Sequence, residues 1–257
     1  MKLPVFCISD HTGMTVDAVA RSLLAQFPDL EFSCITLPFC DTAAKVREAA
    51  ARIAATPGAL VFSSLTDPAL RAILGDAGIP TIDLFESLGP RVEAALGRAA
   101  TPRGGHTHGM TANYDARIDA VNYTLALDDG LNPQRLGAAD LILVGVSRVG
   151  KTPTALYLAL HYGLAVANYP LTPDDLQSSA LPQPLAPHHD KLRGLTLEPE
   201  RLAVLRAARY PGSRYASLEQ CRAEVTAAMR LMHAHAIPVI DTTRLSVEEI
   251  AARLRHA

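Results

Sequence analysis

Residues 140–152 read Asp140-Leu141-Ile142-Leu143-Val144-Gly145-Val146-Ser147-Arg148-Val149-Gly150-Lys151-Thr152. The run Asp140 to Val146, largely apolar and partly β-branched, predicts a buried strand. Gly145 to Thr152 match G-x-x-x-x-G-K-[ST] in full, and Pro153 to Tyr162 return to helical spacing with a proline in the first turn. A strand that turns through such a loop into a helix suits a phosphate. Glycines let backbone N–H groups point inward as an anion nest, at a helix N-terminus whose partial positive charge favours negative ligands. Gly145, Val146, Ser147, Arg148, Val149, Gly150, Lys151 and Thr152 are therefore the candidate nucleotide-binding residues. Lys151 would neutralise the terminal phosphates and the Thr152 hydroxyl would hold Mg2+. Only four lysines occur in the chain, Lys2, Lys45, Lys151 and Lys191, so a lysine at this position is less readily incidental. Arg148 adds a planar fork suited to phosphate oxygens, and Ser147 adds a hydroxyl.

A phosphate loop names no reaction. The Asn-Lys-x-Asp motif of switch GTPases needs an Asn-Lys pair, which this chain lacks. Two acidic candidates accompany the loop, one downstream of it and one upstream. Val239-Ile240-Asp241 offers a strand ending in acid, or an aspartate capping the last helix. Asp128-Asp129-Gly130 offers carboxylates for orienting an acceptor hydroxyl or binding metal, or a solvent-exposed turn at a helix end. The pairs His106/His108, His188/His189 and His233/His235 lack metal-ligand spacing and read as solvated histidines.

Outward from the loop, strands are expected at Leu164–Asn168 and Pro238–Asp241, with helices at Asn113–Leu127, Glu198–Arg209, Ser217–His235 and Val247–His256. The proline-rich stretch Asp174–Asp190 reads as a mobile loop or lid. The first hundred residues repeat a β-α unit four times: strands at Val5–Ser9, Phe32–Leu37, Leu60–Ser63 and Thr81–Leu84, helices at Thr15–Phe27, Ala43–Ala55, Pro68–Ala77 and Pro90–Ala99. Such alternation predicts a parallel sheet covered by helices. The expected fold is α/β, with a Rossmann- or flavodoxin-like half at 1–104 and a P-loop kinase-like half at 140–257. Thr101-Pro102-Arg103-Gly104-Gly105-His106 marks the boundary, and 105–139 is a connecting segment carrying a helix and the Asp-Asp-Gly turn. Ser9 to Thr15, where the first strand meets its helix, is a weak second anion site whose bland reading is helix capping.

Composition limits the function classes. With 257 residues, 49% hydrophobic and 19% charged, the chain can bury a sizeable core and is neither disordered nor low in complexity. A formal net charge of -2 supplies no global attraction for nucleic acid or anionic lipid. No stretch approaches the ~20 apolar residues of a membrane helix, no leader is apparent, and the four cysteines read as reduced core residues, so the cytoplasm is the expected compartment.

The chain resembles the bacterial phosphoenolpyruvate synthase regulatory proteins, relatives of the pyruvate, phosphate dikinase regulatory proteins. The resemblance runs through Ile35-Thr36-Leu37-Pro38-Phe39, Thr107-His108-Gly109, Tyr114 to Ile118, Asp128-Asp129-Gly130, Gly145 to Tyr157 and Ala167-Asn168-Tyr169-Pro170. It continues through Gly194-Leu195-Thr196, Pro199 to Leu202, Ser213 to Leu218 and Ser246 to Ala251. Where the family carries a histidine before Asp-Asp-Gly this chain has Leu127, and His11 replaces a glycine of the family's first motif. The resemblance implies a bifunctional serine/threonine kinase and phosphorylase. Its members phosphorylate a threonine of phosphoenolpyruvate synthase with ADP as donor, and remove it with inorganic phosphate, releasing pyrophosphate. On that reading Lys151, Arg148, Asp128 and Asp129 are the candidate catalytic residues and Thr152 the metal ligand. Phosphoenolpyruvate synthase is the partner, and a homo-oligomer is left open. A small-molecule kinase, or a nucleotide-sensing regulator without chemistry, needs the same loop and stays an alternative.

Overall fold

The computed structural model describes residues 2–101 and 113–255. The expected break at residues 102–106, together with His106, His108 and the Thr107-His108-Gly109 match, lies outside the described residues. The chain divides into two compact units, Met1–Gly109 and Met110–Ala257.

In the first unit, β1 (Leu3–Ile8), α1 (Met14–Leu24), β2 (Phe32–Leu37), α2 (Ala43–Ala54), β3 (Leu60–Ser63), α3 (Pro68–Asp76), β4 (Thr81–Asp83) and α4 (Leu84–Leu96) alternate as the periodicity predicts. The strands form a parallel sheet in the order β2-β1-β3-β4, with Val5 opposite both Cys34 and Leu60. Successive side chains of a strand point to opposite faces. Phe6 and Ile8 accordingly join Val46, Ala50, Val61 and Leu74 in one core, while Val5 and Cys7 join Val16, Ala20 and Phe62 in another. The fourth helix starts earlier than Pro90. Asp83 accepts a hydrogen bond from the Glu86 N–H (2.8 Å) and caps it, and Pro90 sits inside the helix.

The second unit contains α5 (Asn113–Ala126), β5 (Leu141–Gly145), α6 (Lys151–Tyr162), β6 (Val166–Pro170), α7 (Pro173–Gln177), β7 (Leu192–Thr196), α8 (Pro199–Ala207), α9 (Leu218–Ala234), β8 (Val239–Asp241) and α10 (Val247–Arg255). Its sheet is again parallel, in the order β6-β5-β7-β8. The two α/β halves are thus built on the same strand order. Crossovers from β5 lead first to one neighbour and later to the other, which makes the carboxyl end of β5 a switch point where ligands gather in such sheets. Ile142, Leu143 and Val144 are fully buried, as a strand covered on both faces requires.

Three features depart from expectation. Strand β7 was not legible, because Leu-Arg-Gly-Leu-Thr breaks its apolar run with a charge and a glycine. Asp174–Asp190 is more than a plain loop: α7 opens with a capping box at Thr172 and Asp175, Leu185 is fully buried, and a short 3-10 turn spans Ala186–Lys191. The helix of the segment set apart as a connection packs along α6, burying Ala120 and Thr124, and Thr124 Oγ1 accepts from the Val166 N–H of β6 (3.3 Å).

Candidate functional site

The loop after β5 is shaped by a close approach of two strands. Gly145 has φ 156, and a Cβ there would lie 2.3 Å from the Leu195 carbonyl oxygen of β7, so only glycine fits. The chain then turns through Arg148 (φ 79) and Gly150 (φ 94) into α6. No side chain caps α6, which leaves its N-terminal N–H groups for another acceptor. Buried Val146 and Val149 root the loop in the core. Its outer carbonyls are met from behind: Arg206 Nη2 donates to Ser147 O (3.3 Å), and the single hydrogen of Thr242 Oγ1 is shared between Val149 O (3.1 Å) and Thr196 O (2.9 Å). Tyr215 OH donates to Ser147 Oγ (3.0 Å).

Arg206 itself is fully buried, paired with Glu224 at 2.6 Å and stacked 4.1 Å from the centre of the Tyr215 ring. Its other terminal nitrogen donates to the Tyr215 carbonyl at 3.1 Å. A buried guanidinium stripped of water is tolerated only with such partners.

Lys151 is 5% exposed. Its ammonium donates to Gly145 O (3.0 Å) and Val146 O (2.9 Å). An ammonium has three N–H donors, so one remains for a ligand at the nest. Burial pushes its pKa down to about 8, opposed by the negative charges of Asp129 and Asp128 and reinforced by Arg206. The site thus holds a lysine whose full charge a bound anion would restore.

Asp128 joins this group from the turn that follows α5. Thr152 Oγ1 donates to Asp128 Oδ1 (2.8 Å). Asn168, at the middle of β6 and 1% exposed, donates through Nδ2 both to Asp128 Oδ1 (2.5 Å) and to Thr152 Oγ1 (2.9 Å). Its backbone N–H also reaches Leu127 O (3.4 Å), so one residue of β6 anchors the turn by backbone and side chain. The reverse amide orientation would set Oδ1 against the carboxylate, so charge favours the one observed. It leaves Asn168 Oδ1 buried without a partner, a cost of about 1–3 kcal/mol.

Of the sequence candidates, Lys151, Thr152 and Asp128 meet at the loop, and the exposed Asp129, held at φ 52, bears on Lys151 through its charge. Arg148 is exposed at the tip of the loop. Asp241 ends β8, as the strand reading expects, but it does not cap the last helix. Its Oδ1 accepts from the N–H (2.8 Å) and hydroxyl (2.5 Å) of Thr243, closing the turn after β8, while the last helix is capped by Ser246 and Glu249. His189 and His235 bond backbone carbonyls of His235 and Ser179. Asn168, Arg206, Tyr215 and Thr242 escaped sequence reasoning as site residues. Asn168 and Tyr215 lay in stretches that carry the family resemblance; Arg206 and Thr242 left no signal.

Among the described residues no group of three or more His, Cys, Asp or Glu side chains could hold a metal ion by themselves. Mg2+ asks for less, taking one or two carboxylates with water and phosphate oxygens to complete its shell. Asp128 and the Thr152 hydroxyl are oxygen groups of that kind, bonded to each other at the uncapped start of α6, and the donor set fits. A separate hollow of about 610 Å3 beside α5, lined by Asp119, Tyr123, Arg135 and Gly163, lies at the opposite end of β6. Ligands of parallel sheets sit at the carboxyl ends of the strands, so the loop is the better candidate.

Residues 5–254 match the family model described as kinase/pyrophosphorylase. A protein of Thiobacillus denitrificans named "Putative phosphoenolpyruvate synthase regulatory protein" is 70% identical over 251 residues, covering 98% of this chain and 97% of the relative. Proteins of the same name from Bordetella avium (48% identical, 96% of this chain and 93% of the relative) and Laribacter hongkongensis (46%, 98% and 94%) are similar over the same span. No helix among the described residues is long and apolar enough to cross a membrane.

Proposed function

This chain belongs to the kinase/pyrophosphorylase family, and on that premise we propose that it is a regulatory serine/threonine kinase and phosphorylase acting on phosphoenolpyruvate synthase. The target is carried over from the names of its full-length relatives. The observation that supports phosphoryl transfer is the Thr152–Asp128 hydrogen bond of 2.8 Å beside the buried Lys151, at the uncapped start of α6.

In the forward direction ADP is the donor. The target threonine oxygen forms a bond to the β-phosphorus as the bond to the α–β bridging oxygen breaks, so AMP leaves and the hydroxyl proton is lost. In the reverse direction an oxygen of inorganic phosphate attacks the phosphothreonine phosphorus. The bond to the threonine oxygen breaks, that oxygen regains a proton, and pyrophosphate leaves. Such transfers depend on positioning and charge rather than on covalent chemistry from the protein. The nest from Gly145 to Gly150 cradles the phosphates, and Lys151 places its remaining N–H on the moving phosphoryl group. Asp129, exposed beside Lys151, orients the target hydroxyl, and Arg148 at the loop tip stabilises charge. Thr152 and Asp128 would hold Mg2+, which when bound would supply neutralising charge to the phosphates.

The test incubates the purified protein with phosphoenolpyruvate synthase and [β-32P]ADP, with labelled ATP in parallel, and then adds phosphate. Label should pass from ADP to a threonine and leave as pyrophosphate. Nucleotide binding without labelling of the synthase would overturn the target assignment.

A further inference from the structure

Asn168 is the buried polar group at the loop that the transfer steps above leave without a task. Its place is fixed by the sheet. Leu143 of the loop-bearing strand pairs with it across β5 and β6, two residues before Gly145. Its amide is 1% exposed and faces two groups on different elements, Asp128 Oδ1 on the turn after α5 and Thr152 Oγ1 on the first turn of α6. A purely structural amide in a core is expected to satisfy all of its polar atoms, yet here Oδ1 is buried with no partner.

Counting protons and lone pairs shows what the amide does. Thr152 Oγ1 has one hydrogen, which goes to Asp128 Oδ1, and two lone pairs, one of which accepts from Asn168 Nδ2. Because Asn168 can only donate at Nδ2, it forbids the hydroxyl from turning its hydrogen toward β6. The hydrogen is directed to the carboxylate and one lone pair of Thr152 Oγ1 stays free. Asp128 Oδ1 is filled by two donors, and neither of these bonds uses Oδ2. We infer that Asn168 is a positioning residue, whose buried amide aims the free lone pair of Thr152 and the free oxygen of Asp128 at one point so that they take a divalent cation together with a nucleotide phosphate. The inference rests on the nucleotide reading of the loop proposed above. Residues that orient the ligands of a metal through hydrogen bonds typically change metal affinity by about 10–100-fold when removed.

The experiment measures the Kd of ADP by calorimetry in EDTA and in saturating Mg2+, for wild type, Asn168→Ala, Thr152→Ala and the double variant. In wild type Mg2+ should tighten ADP binding. Asn168→Ala should lose about tenfold or more of that Mg2+-dependent gain, with the Kd in EDTA changed less than about twofold, because the nest and Lys151 are untouched. In the Thr152→Ala background Asn168→Ala should have little further effect, since the group it acts through is gone. Asn168→Ser, which keeps one donor, should fall between, and it carries the same test where alanine impairs folding. Equal losses in EDTA and in Mg2+, or full additivity with Thr152→Ala, would show a structural role only and overturn the inference. Wild-type protein that binds ADP equally in both conditions also overturns it while leaving the ADP reading intact. Wild-type protein that binds no ADP overturns both.

Discussion

The Thr152 hydroxyl donates to Asp128 Oδ1 at 2.8 Å, tying the first turn of α6 to a turn 24 residues earlier in the chain. The bond brings a carboxylate to the loop from the sequence before it, not after. Thr152→Ser keeps the hydroxyl and should retain phosphoryl transfer within about threefold, whereas Thr152→Ala should lower kcat by about 10²–10³, the range for removing one preorganised polar group. Steady-state transfer from ADP to the synthase measures both. Equal activity of the two variants would detach the hydroxyl from the chemistry.

The same geometry separates two aspartates that the sequence leaves on a par. Asp128 contacts Thr152, whereas Asp241 is engaged by Thr243 in a surface turn. Asp128→Asn should abolish Mg2+-dependent transfer, and Asp241→Asn should leave it within about twofold, costing at most about 1 kcal/mol of stability for the lost turn bonds. Denaturant melts and the transfer assay, run on both variants, read the difference. A strong activity loss in Asp241→Asn alone would restore the strand-ending acid as the metal-side residue.

Much of the fold was legible because alternating strand and helix periods are local signals, and the loop was legible because its glycines and lysine fall at fixed spacing between a strand and a helix. What escaped was either masked locally or made by distance. Strand β7 has Arg193 and Gly194 in its middle; a Cβ at that glycine would lie 2.5 Å from Met232 Sδ, so its place is used by a packed side chain from α9. The early start of α4 was readable in principle, since Asp83 and Glu86 stand at capping-box spacing, but Pro90 drew the boundary too late. The buried role of Arg206 has no local trace at all. Its partners Ser147 and Glu224 lie 59 and 18 residues away, and only the folded sheet brings them together.

That buried arginine gives a stability prediction. Arg206→Leu leaves Glu224 without its 2.6 Å partner and the Ser147 carbonyl without a donor. Breaking one side of a buried pair costs about 3–5 kcal/mol. Arg206→Leu with Glu224→Leu removes both charges and should recover part of that loss, a coupling measured by urea denaturation of the four members of the cycle. Simple addition of the two single losses would mean that the pair is not coupled.

The close approach at the start of the loop predicts unequal glycines. Gly145→Ala drives a methyl to 2.3 Å from a backbone oxygen that cannot rotate away, so β5 and β7 must part. Gly150→Ala meets nothing within 4 Å and is strained only by its φ of 94. Gly145→Ala should destabilise by about 3 kcal/mol, and Gly150→Ala by about 1 kcal/mol. Thermal melts rank the two, and the reverse ranking would contradict the strand contact.

Lys151 links the site to pH. Burial holds its pKa at about 8 against 10.5 for the free side chain. Between those values the unfolded chain binds the proton and the folded one releases it, so this group makes the protein more stable as pH rises from about 8 toward 10.5. Below about pH 8 the buried ammonium is charged in both states and its full cost, about 3 kcal/mol, is present. The difference in urea stability between wild type and Lys151→Met should therefore shift in favour of wild type across that window. Anion binding has the opposite sense. A phosphate at the nest stabilises the charged form, so ADP binding above pH 8 must take up protons at Lys151, and affinity must fall as pH rises. Calorimetry at pH 9 in two buffers of different ionisation heat should show proton uptake approaching one per ADP, absent in Lys151→Arg, whose guanidinium stays charged. Binding of ADP at pH 9 with no proton exchange in wild type would mean that the phosphate does not meet this ammonium.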